Sequence, residues 1–338
     1  MSISITVIIL GITACTTSTK EKNHFQRTID YQSVKTSRAV LAKTVRNPKV
    51  VRIIDDKIVI GEVGGSPSIH MFQIKEDGGV EYLKGIGREG RGPGEYERLM
   101  EIIDSDSLFY VYDGNQFSLT AYNTNGELRD HKRRELTTRG LPNSMFMLKD
   151  GSIVAAGVFL NERIQVFDET GSIKTSLGDY IVFDKNFTPR DNGIAWLSHA
   201  AMNLGQNYIC LFAENADFIE KYDMEGTLLK RVQGEKYPLP SMILEDNWPV
   251  DNNGIVGYTD VVSNDHHLYA SYSGIPRSED SSNPFETDLI QEFDWNLNLE
   301  HGYKLDHKPT EFVVGNNDVI YTLNESNGGY EIRLGHLK

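Results

Sequence analysis

The sequence predicts an all-β fold, a six-bladed β-propeller with four-stranded blades. Three observations lead to this prediction. A strand–turn–strand pattern recurs six times, a second hairpin pattern follows it in most repeats, and long stretches with helical periodicity are absent. Four short antiparallel strands in each repeat of about 50 residues are typical of propeller blades.

The first pattern is an apolar strand, a tight polar turn and a second strand rich in β-branched and aromatic residues. Examples of the junction are "SDSLFYV" and "KDGSIVA". Turn residues followed by such strands indicate hairpins. The first apolar residues after the six turns, spaced 45 to 60 residues apart, are Ile58, Leu108, Ile153, Tyr208, Leu268 and Val319.

The second pattern is an aromatic residue, Asp or Asn, two residues, Gly, one residue and an aliphatic residue. We interpret it as a third strand that turns into a fourth, with Asp or Asn and Gly forming the turn. The first repeat retains only Ile74 and Gly78, and the fifth carries Leu297 in place of Gly. The full pattern begins at Tyr122, Phe167 and Tyr222.

The sixth repeat has room for only three strands before the sequence ends at Lys338. A closed ring needs a fourth strand, because an incomplete blade would leave a free sheet edge. Residues 33–45, "SVKTSRAVLAKTV", alternate reasonably between apolar and polar side chains. We therefore expect this N-terminal segment to be the outer strand of the last blade.

Two insertions interrupt the spacing of the repeats, residues 181–196 and residues 274–287. Both contain Pro, Gly and Asn, the second also contains Ser, and they are interpreted as loops, either functional or merely tolerated. The aromatic residues Trp196, Trp248 and Phe285 lie in or beside loops. They are expected either to stack on sugar rings or to be buried between blades.

The N-terminus predicts export. Residues 3–14 are almost wholly apolar or small, too short a run to span a bilayer, and "ITAC" ends at Cys15. This resembles a bacterial lipobox, although no Lys or Arg precedes the apolar run. We therefore predict a signal peptide over residues 1–14, lipidation of Cys15, a lipid-anchored tether over residues 15–30 and a propeller over residues 31–338. The predicted location is the cell envelope, with the membrane as a partner through the anchor.

Composition limits the possible partners. The net charge of -14 argues against nonspecific nucleic-acid binding and against electrostatic docking on anionic lipid. If Cys15 is lipidated, Cys210 is the only remaining cysteine, so packing rather than an internal disulfide must hold the core. Cys210 lies in the apolar run "YICLF" and is predicted to be a buried small hydrophobe.

The segment "GRGPGEY", residues 90–96, follows the first repeat. Together with the lipobox and the six repeats, it resembles the TolB-like six-bladed propeller lipoproteins, a group close in fold to NHL-repeat propellers. The resemblance covers essentially the whole chain after the lipobox. It implies a propeller in the cell envelope, and it provides no catalytic residues to carry over.

Residues 85–97, "GIGREGRGPGEYE", do not match a phosphate-binding loop, because that motif requires Gly-Lys-Ser/Thr and a following helix. We expect this segment to cross from the rim of the first blade to the axis of the propeller. Arg88 and Arg91, with Glu95, are the candidate ligand-binding residues, since guanidinium groups bind carboxylate, phosphate or sulfate. In the alternative, both arginines pair with Glu89, Glu95 or carboxylates of the blades and only fix the crossing.

No metal site is predicted. The adjacent His266 and His267 should face opposite sides of a strand, and no spacing typical of zinc ligands is present. Many carboxylates lie in turns, which favour Asp and Asn in any case. Propeller hydrolases often hold Ca²⁺ on the channel axis with oxygen ligands, so Ca²⁺ is the alternative to the prediction of no cofactor.

Two main functions remain open at this point. The first is a non-catalytic binding propeller in the envelope, for an anionic or carbohydrate ligand or a partner protein. The alternative is a Ca²⁺-assisted hydrolase, lactonase or lyase that uses the central channel, and a purely structural role is a third possibility. Three or more Asp, Asn, Glu or His residues facing the channel mouth would favour the enzyme, whereas an apolar channel would argue against it.

Overall fold

The computed structural model describes residues 23–24, 29–129, 133–138, 140–181, 186–234, 237, 239–246, 248–278 and 283–337. The strands form six antiparallel sheets in chain order, which confirms the predicted all-β six-bladed propeller. The predicted signal peptide and Cys15 lie outside the described residues. No helix in the described ranges has the length and apolar character needed to cross a membrane.

The strands follow one another along the chain in a regular order. Three strands precede the first blade: β1 (Asn23–His24), β2 (Tyr31–Val34) and β3 (Ser37–Ala42). Blade 1 contains β4 (Pro48–Ile54), β5 (Lys57–Glu62), β6 (Ile69–Ile74) and β7 (Val80–Ile86), and the connection to blade 2 contains the short strands β8 (Arg88–Glu89) and β9 (Glu95–Tyr96). Blade 2 contains β10 (Leu99–Ser105), β11 (Leu108–Asp113), β12 (Ser118–Asn123) and β13 (Arg134–Glu135).

The second half of the chain repeats the same arrangement with two additions between blades. Blade 3 contains β14 (Leu141–Met147), β15 (Ile153–Val158), β16 (Glu162–Phe167) and β17 (Ile173–Asp179), and helix α1 (Pro189–Ala195) follows it. Blade 4 contains β18 (Ser198–Asn203), β19 (Tyr208–Ala213), β20 (Phe218–Asp223) and β21 (Leu228–Gln233), followed by a hairpin of β22 (Met242–Glu245) and β23 (Trp248–Asp251). Blade 5 contains β24 (Ile255–Ser263), β25 (His267–Pro276), β26 (Leu289–Asp294) and β27 (Leu299–Leu305), and blade 6 contains β28 (Glu311–Val314), β29 (Val319–Ser326) and β30 (Gly329–His336).

The hairpins between third and fourth strands follow the predicted turn chemistry. Gly171 has a φ of 91° and Leu297 a φ of 60°, so the turn needs a left-handed residue at this position in both blades. Asp168 explains the preference for Asp or Asn, because its Oδ1 accepts the backbone N–H groups of Thr170 at 2.9 Å and Ser172 at 3.0 Å. A Cβ on Gly171 would lie 1.9 Å from the carbonyl oxygen of Glu135.

The N-terminal segment closes the ring as predicted. Strand β3 pairs antiparallel with β30 and completes blade 6 as its fourth strand, from Ser37 opposite Leu334 to Ala42 opposite Tyr330. Just beyond it, Val45 is fully buried between blades 1 and 6. The outer edge of the last blade is therefore satisfied by the start of the propeller.

Two further N-terminal strands add to the neighbouring blades. Strand β2 pairs parallel with β27 at the edge of blade 5, and β1 pairs parallel with β21 at the edge of blade 4. Strand β1 falls within residues 15–30, the range predicted as a tether. Pairing with the propeller thus begins at Asn23 rather than after the predicted tether.

The core lies between neighbouring blades and consists mainly of β-branched and aromatic side chains from their strands. Cys210 is fully buried in it, as predicted, and burial raises the pKa of its thiol to about 12. Between blades 3 and 4, buried Glu220 accepts hydrogen bonds from Arg163 and from Arg231. Two guanidinium groups thereby compensate a carboxylate that would otherwise be costly to bury.

The insertion at residues 181–196 contains a helix, which the sequence analysis interpreted only as a loop. Thr188 caps α1, with its side chain accepting from the backbone of Asp191, while the Asp191 side chain accepts from the backbone of Thr188. Pro189 occupies the first turn. The sequence "TPRD" has the N-cap, first-turn proline and N3 acidic residue that are typical of a helix start. The prediction of a loop was wrong for residues 189–195, which form this helix.

The ring closure gives a first prediction. A chain that starts at residue 46 should be less stable by at least about 4 kcal/mol, because it loses the β3 pairing and the burial of Val45. The melting temperature, measured by circular dichroism, should fall by about 10 °C or more. A chain that starts at residue 35 is the control, since it also lacks β1 and β2 but keeps β3. Equal melting temperatures for the two chains would contradict the role of β3.

Candidate functional site

The central channel opens toward one face of the propeller as a polar cavity of about 200 Å³. In each blade, the start of the first strand, the loop between second and third strands and the link to the next blade lie at the same end of the sheet. We call this end the connection face. The cavity lining includes a polar residue from the first strand of every blade: Arg52, Glu101, Asn143, His199, Asp260 and Glu311.

Arg52 lies among carboxylates inside the channel. Its Nη2 donates to Oε1 of Glu101 at 2.7 Å. Burial lowers the pKa of Arg52, but the charges of Glu101, Asp260 and Glu311 outweigh burial and raise it. The guanidinium group therefore stays charged and serves as the internal counter-ion of this part of the channel.

Glu311 lies at the start of β28 and lines the same cavity. Burial raises its pKa well above the ordinary value, the negative charge of Asp260 raises it further, and Lys49 and Arg52 partly offset both effects. Burial also raises the pKa of Glu101, against the opposing charge of Arg52. The channel mouth thus contains a carboxyl group, Glu311, that retains its proton to a higher pH than an exposed glutamate does.

The edge of the cavity on the side of blades 4 and 5 contains a second group of polar residues. His199 Nε2 lies 3.4 Å from Oε2 of Glu214, and Arg277 Nη2 lies 3.7 Å from Oε1 of the same carboxylate. The guanidinium of Arg277 also lies over the ring of Phe285, 4.8 Å from its centroid. This stacking supports one face of an aromatic ring that lines the cavity and is 44% exposed.

The three aromatic residues singled out in the sequence have different environments. Trp196 is buried, and its Nε1 donates to the carbonyl of Ile181 at 2.8 Å. Trp248, in the hairpin β22–β23, is 56% exposed and stacks against Arg190. Of the three, Phe285 is the residue that lines the channel mouth, and it belongs to the insertion at residues 274–287.

The crossing segment lies on the connection face, but its arginines are engaged locally. Arg88 Nε donates to Oε1 of Glu95 at 2.7 Å, and Arg91 Nε donates to Oε1 of Glu97 at 2.7 Å. The backbone N–H of Gly92 and, next, the Arg88 guanidinium lower the pKa of Glu95. Both arginines are highly exposed and do not belong to the cavity lining. The structure therefore shows the alternative arrangement, in which neighbouring carboxylates pair with these arginines.

The sequence analysis missed the charged residues of the channel because they form no contiguous motif. Each lies in the first strand of a different blade, separated from the next by tens of residues. An alignment of the six repeats on their first strands would have placed Arg52, Glu101, Asp260 and Glu311 near the axis. It would not have shown which charges neutralise which.

Ca²⁺ on the axis does not fit the channel residues well. The carboxylates of Glu101, Asp260 and Glu311 face the guanidinium of Arg52, and Glu101 already accepts from it. In the described part of the chain, a metal-like grouping of His and carboxylates occurs elsewhere, at His267, Glu292 and Glu300 in blade 5.

Comparisons with known proteins agree with the propeller fold. A family model described as TolB-like 6-blade propeller-like matches residues 24–317. A Bacteroides fragilis protein described as exported is 14% identical, with 94% of this chain and 99% of that chain covered and a TM-score of 0.61. A Bacteroides vulgatus protein is 10% identical, with coverages of 90% and 96% and a TM-score of 0.54.

A third structure is a catalytically inactive virginiamycin B lyase variant from Staphylococcus aureus with quinupristin. It is 12% identical, with 89% of this chain and 99% of that chain covered and a TM-score of 0.50. No curated protein matched the sequence. At these identities, the structural likeness establishes the fold and not the chemistry.

The environment of Glu311 gives a second prediction. Because its folded-state pKa is raised, the folded protein binds more protons than the unfolded chain between the ordinary carboxyl pKa of about 4.3 and the raised value. Wild-type stability therefore falls as pH rises through that window. Glu311→Gln carries no such charge and should be more stable than wild type at pH 7 to 8, with the difference vanishing near pH 4.

Urea unfolding at a series of pH values measures this difference. Glu76→Gln is the matched control, since Glu76 is exposed in a turn of blade 1. If the free energies of unfolding of Glu311→Gln and Glu76→Gln had the same pH dependence, the buried carboxyl group of Glu311 would not be the cause of the pH dependence.

Proposed function

We propose a function for this chain, which belongs to the TolB-like family of six-bladed propellers. The chain is a non-catalytic binding propeller, and its ligand is a carbohydrate. The binding site in this proposal is the channel mouth on the connection face. The observation that supports it most directly is the combination of an exposed, arginine-supported Phe285 ring with hydroxyl, amide and carboxylate groups around one cavity.

The chemistry of the cavity favours a sugar over an anion. Sugar hydroxyls both donate and accept hydrogen bonds, and the lining supplies acceptors at Asp260 and Glu101 and both kinds of group at Asn143. The apolar face of a sugar ring packs against an aromatic side chain such as Phe285. An anionic ligand would instead meet Glu101 and Asp260, while Arg52 is already committed to Glu101 and Lys49 is the other Lys or Arg side chain of the lining.

The size of the cavity narrows the ligand further. At about 200 Å³ it is smaller than pockets that enclose a whole drug-sized ligand, which measure roughly 300–1,000 Å³. It suits one terminal sugar unit, with the remaining units of a longer glycan lying across the connection face. The exposed Trp248 on that face offers a further stacking surface.

An enzyme that uses the same channel is the second candidate. It is favoured by Glu311, because a raised pKa lets this carboxyl group keep a proton to donate at a higher pH than an exposed glutamate would. Three or more Asp, Asn, Glu or His residues facing the channel mouth were expected for an enzyme, and the cavity lining contains more than three. In this reading, a hydrolase, lactonase or lyase would rely on Glu311 and on His199, which lines the same cavity, rather than on Ca²⁺.

The location in this proposal is the cell envelope, with Cys15 lipidated and the propeller held to the membrane by its N-terminus. The apolar run before Cys15 and the lipobox-like "ITAC" support it. Since strand pairing begins at Asn23, few residues separate the lipid anchor from blade 4. The propeller is then held close to the membrane.

Binding of glycans to the purified protein tests the proposed function. Screening on an oligosaccharide array should identify a bound glycan, and titration calorimetry should show an at least tenfold weaker affinity for Phe285→Ala, about 1.4 kcal/mol. The physical reason is loss of the stacking surface. Melting temperatures should remain within a few degrees, because Phe285 is 44% exposed.

Phe117→Ala is the matched control, because Phe117 is also an exposed phenylalanine on the connection face but does not line the cavity.

The double variant Arg88→Ala and Arg91→Ala tests the crossing segment, including Glu95, as the binding site instead. Loss of binding in that variant, or equal losses for Phe117→Ala and Phe285→Ala, would place the ligand elsewhere. Absence of any bound glycan would refute the carbohydrate proposal, and turnover lost in Glu311→Gln would favour the enzyme.

The lipid anchor is tested separately by Cys15→Ala. In cells grown with labelled palmitate, the wild-type protein should incorporate the label, and the variant should not, because it lacks the thiol that carries the acyl chains. Cys210→Ala is the control, since this buried thiol should not affect labelling. Labelling of Cys15→Ala equal to that of the wild type would rule out lipidation at this residue.

A further inference from the structure

We infer that blade 5 contains a divalent transition-metal site, formed by His267, Glu292 and Glu300 and best suited to Zn²⁺. It is distinct from the channel mouth and independent of the function proposed there. One ring nitrogen and one carboxylate oxygen from each glutamate come within 4.8 Å of one another. Each of the three side chains belongs to a different strand of the same sheet.

The geometry of the sheet brings the three residues together. His267 on β25 pairs with Asp294, so Glu292, two positions away on β26, is its diagonal neighbour on one face. On β27, Glu300 is the extra residue of a bulge between the pairs Phe293–Leu299 and Glu292–His301. A bulge changes the direction of the side chain it contains, and here it brings the Glu300 side chain close to His267 and Glu292.

The three side chains already lie in contact. His267 Nε2 lies 3.2 Å from Oε2 of Glu300, and His267 Nδ1 lies 3.4 Å from Oε1 of Glu292. The two carboxylates thus approach different nitrogens of the ring, whereas a metal binds one of them. In a tetrahedral zinc site with bonds of about 2.1 Å, neighbouring ligand atoms lie about 3.4 Å apart. The three candidate ligand atoms lie within 4.8 Å of one another, so metal binding requires the exposed Glu300 side chain to turn toward the nitrogen that faces Glu292.

The surroundings support the ligands in the way that metal sites require. Glu292 is fully buried, and Tyr303 Oη donates to its Oε2 at 2.5 Å, which orients the carboxylate with Oε1 toward His267. Asn264 Oδ1 accepts the backbone N–H of His267 at 2.8 Å and fixes the start of β25. Glu300 is partly exposed, so a metal ion can enter from solvent and keep a water ligand.

A comparison with blade 4 shows how the repeat places these positions next to each other. Blades 3 and 4 have the same bulge at the same point of the third-to-fourth-strand hairpin. In blade 4 the positions of His267 and Glu292 are occupied by Tyr208 and Lys221, and Lys221 Nζ lies 3.5 Å from the centroid of the Tyr208 ring. The repeat thus brings these positions into contact, and blade 5 places metal-binding side chains there.

The donor set indicates the kind of metal. Two carboxylates and one neutral imidazole give a site of charge −2 before binding, which a divalent ion neutralises. The imidazole favours zinc and related transition metals over Ca²⁺ and Mg²⁺, which prefer oxygen ligands alone. Without a metal, the contacts of His267 with Glu292 and Glu300 are those of an ordinary His–carboxylate ion pair.

Titration of the purified full-length protein with ZnCl₂, followed by calorimetry, tests the inference. The wild type should bind one Zn²⁺ at this site, and His267→Asn and Glu300→Gln should each weaken the binding at least tenfold. His266→Asn is the matched control, since His266 is the exposed neighbour of His267, and its affinity should stay within about twofold of wild type. CaCl₂ should bind this site at least tenfold more weakly than ZnCl₂.

Melting temperatures without metal show that the variants fold, and Zn²⁺ should raise the melting temperature of the wild type and of His266→Asn alone. No Zn²⁺ binding by the wild type would leave only the ion pair and overturn the inference. Equal binding by wild type and His267→Asn would likewise overturn it, as would a preference for Ca²⁺.

Discussion

The pairing of β3 with β30 is the constraint on which the rest of the structure depends. It supplies the outer strand that blade 6 lacks and joins the two ends of the chain through backbone hydrogen bonds. Once the ring is closed, each blade packs its apolar side chains against two neighbours, and the six first strands are fixed around one axis. The channel mouth exists only because of that closure, since its lining takes a residue from every blade. The additional pairing of β1 and β2 on blades 4 and 5 extends the same N-terminal segment around the rim.

Electrostatic compensation determines what the channel can accommodate. First strands that converge on an axis bring distant charges together in a space with little water, where an unpaired charge is costly. Here Arg52 donates to Glu101 and stabilises the charge of several neighbouring carboxylates, while Glu311 is driven toward its protonated form. The same principle operates between blades 3 and 4, where Arg163 and Arg231 enclose Glu220. What remains at the channel mouth is polar and nearly balanced in charge, with an aromatic ring at its edge, and this suits a neutral polyhydroxylated ligand.

Repetition of one hairpin allows a single blade to differ chemically without a change of fold. The left-handed turn residue and the bulge that follows it recur in blades 3, 4 and 5. In blades 4 and 5, the corresponding positions on the second and third strands lie in contact. In blade 4 these positions include a stacked Lys221 and Tyr208, whereas in blade 5 they include His267, Glu292 and Glu300. The sequence analysis considered only His266 and His267 as a possible ligand pair, because they are adjacent. The relevant partners of His267 lie 25 or more residues away and reach it through strand pairing and the bulge.

The sequence by itself determined the architecture of this protein. Local turn chemistry and strand periodicity, repeated six times, were enough for the blade count, and the missing strand of blade 6 pointed to residues 33–45. These features are local, because a turn or a strand depends on residues that are near one another in the chain. Tertiary structure decided which residues line the candidate sites. Arg88 and Arg91 stood out in a contiguous Gly-rich motif, yet they pair with Glu95 and Glu97 outside the channel lining. The channel residues and the His267 group are brought together only by ring closure and sheet register, because their members are far apart in the chain and none forms a motif there.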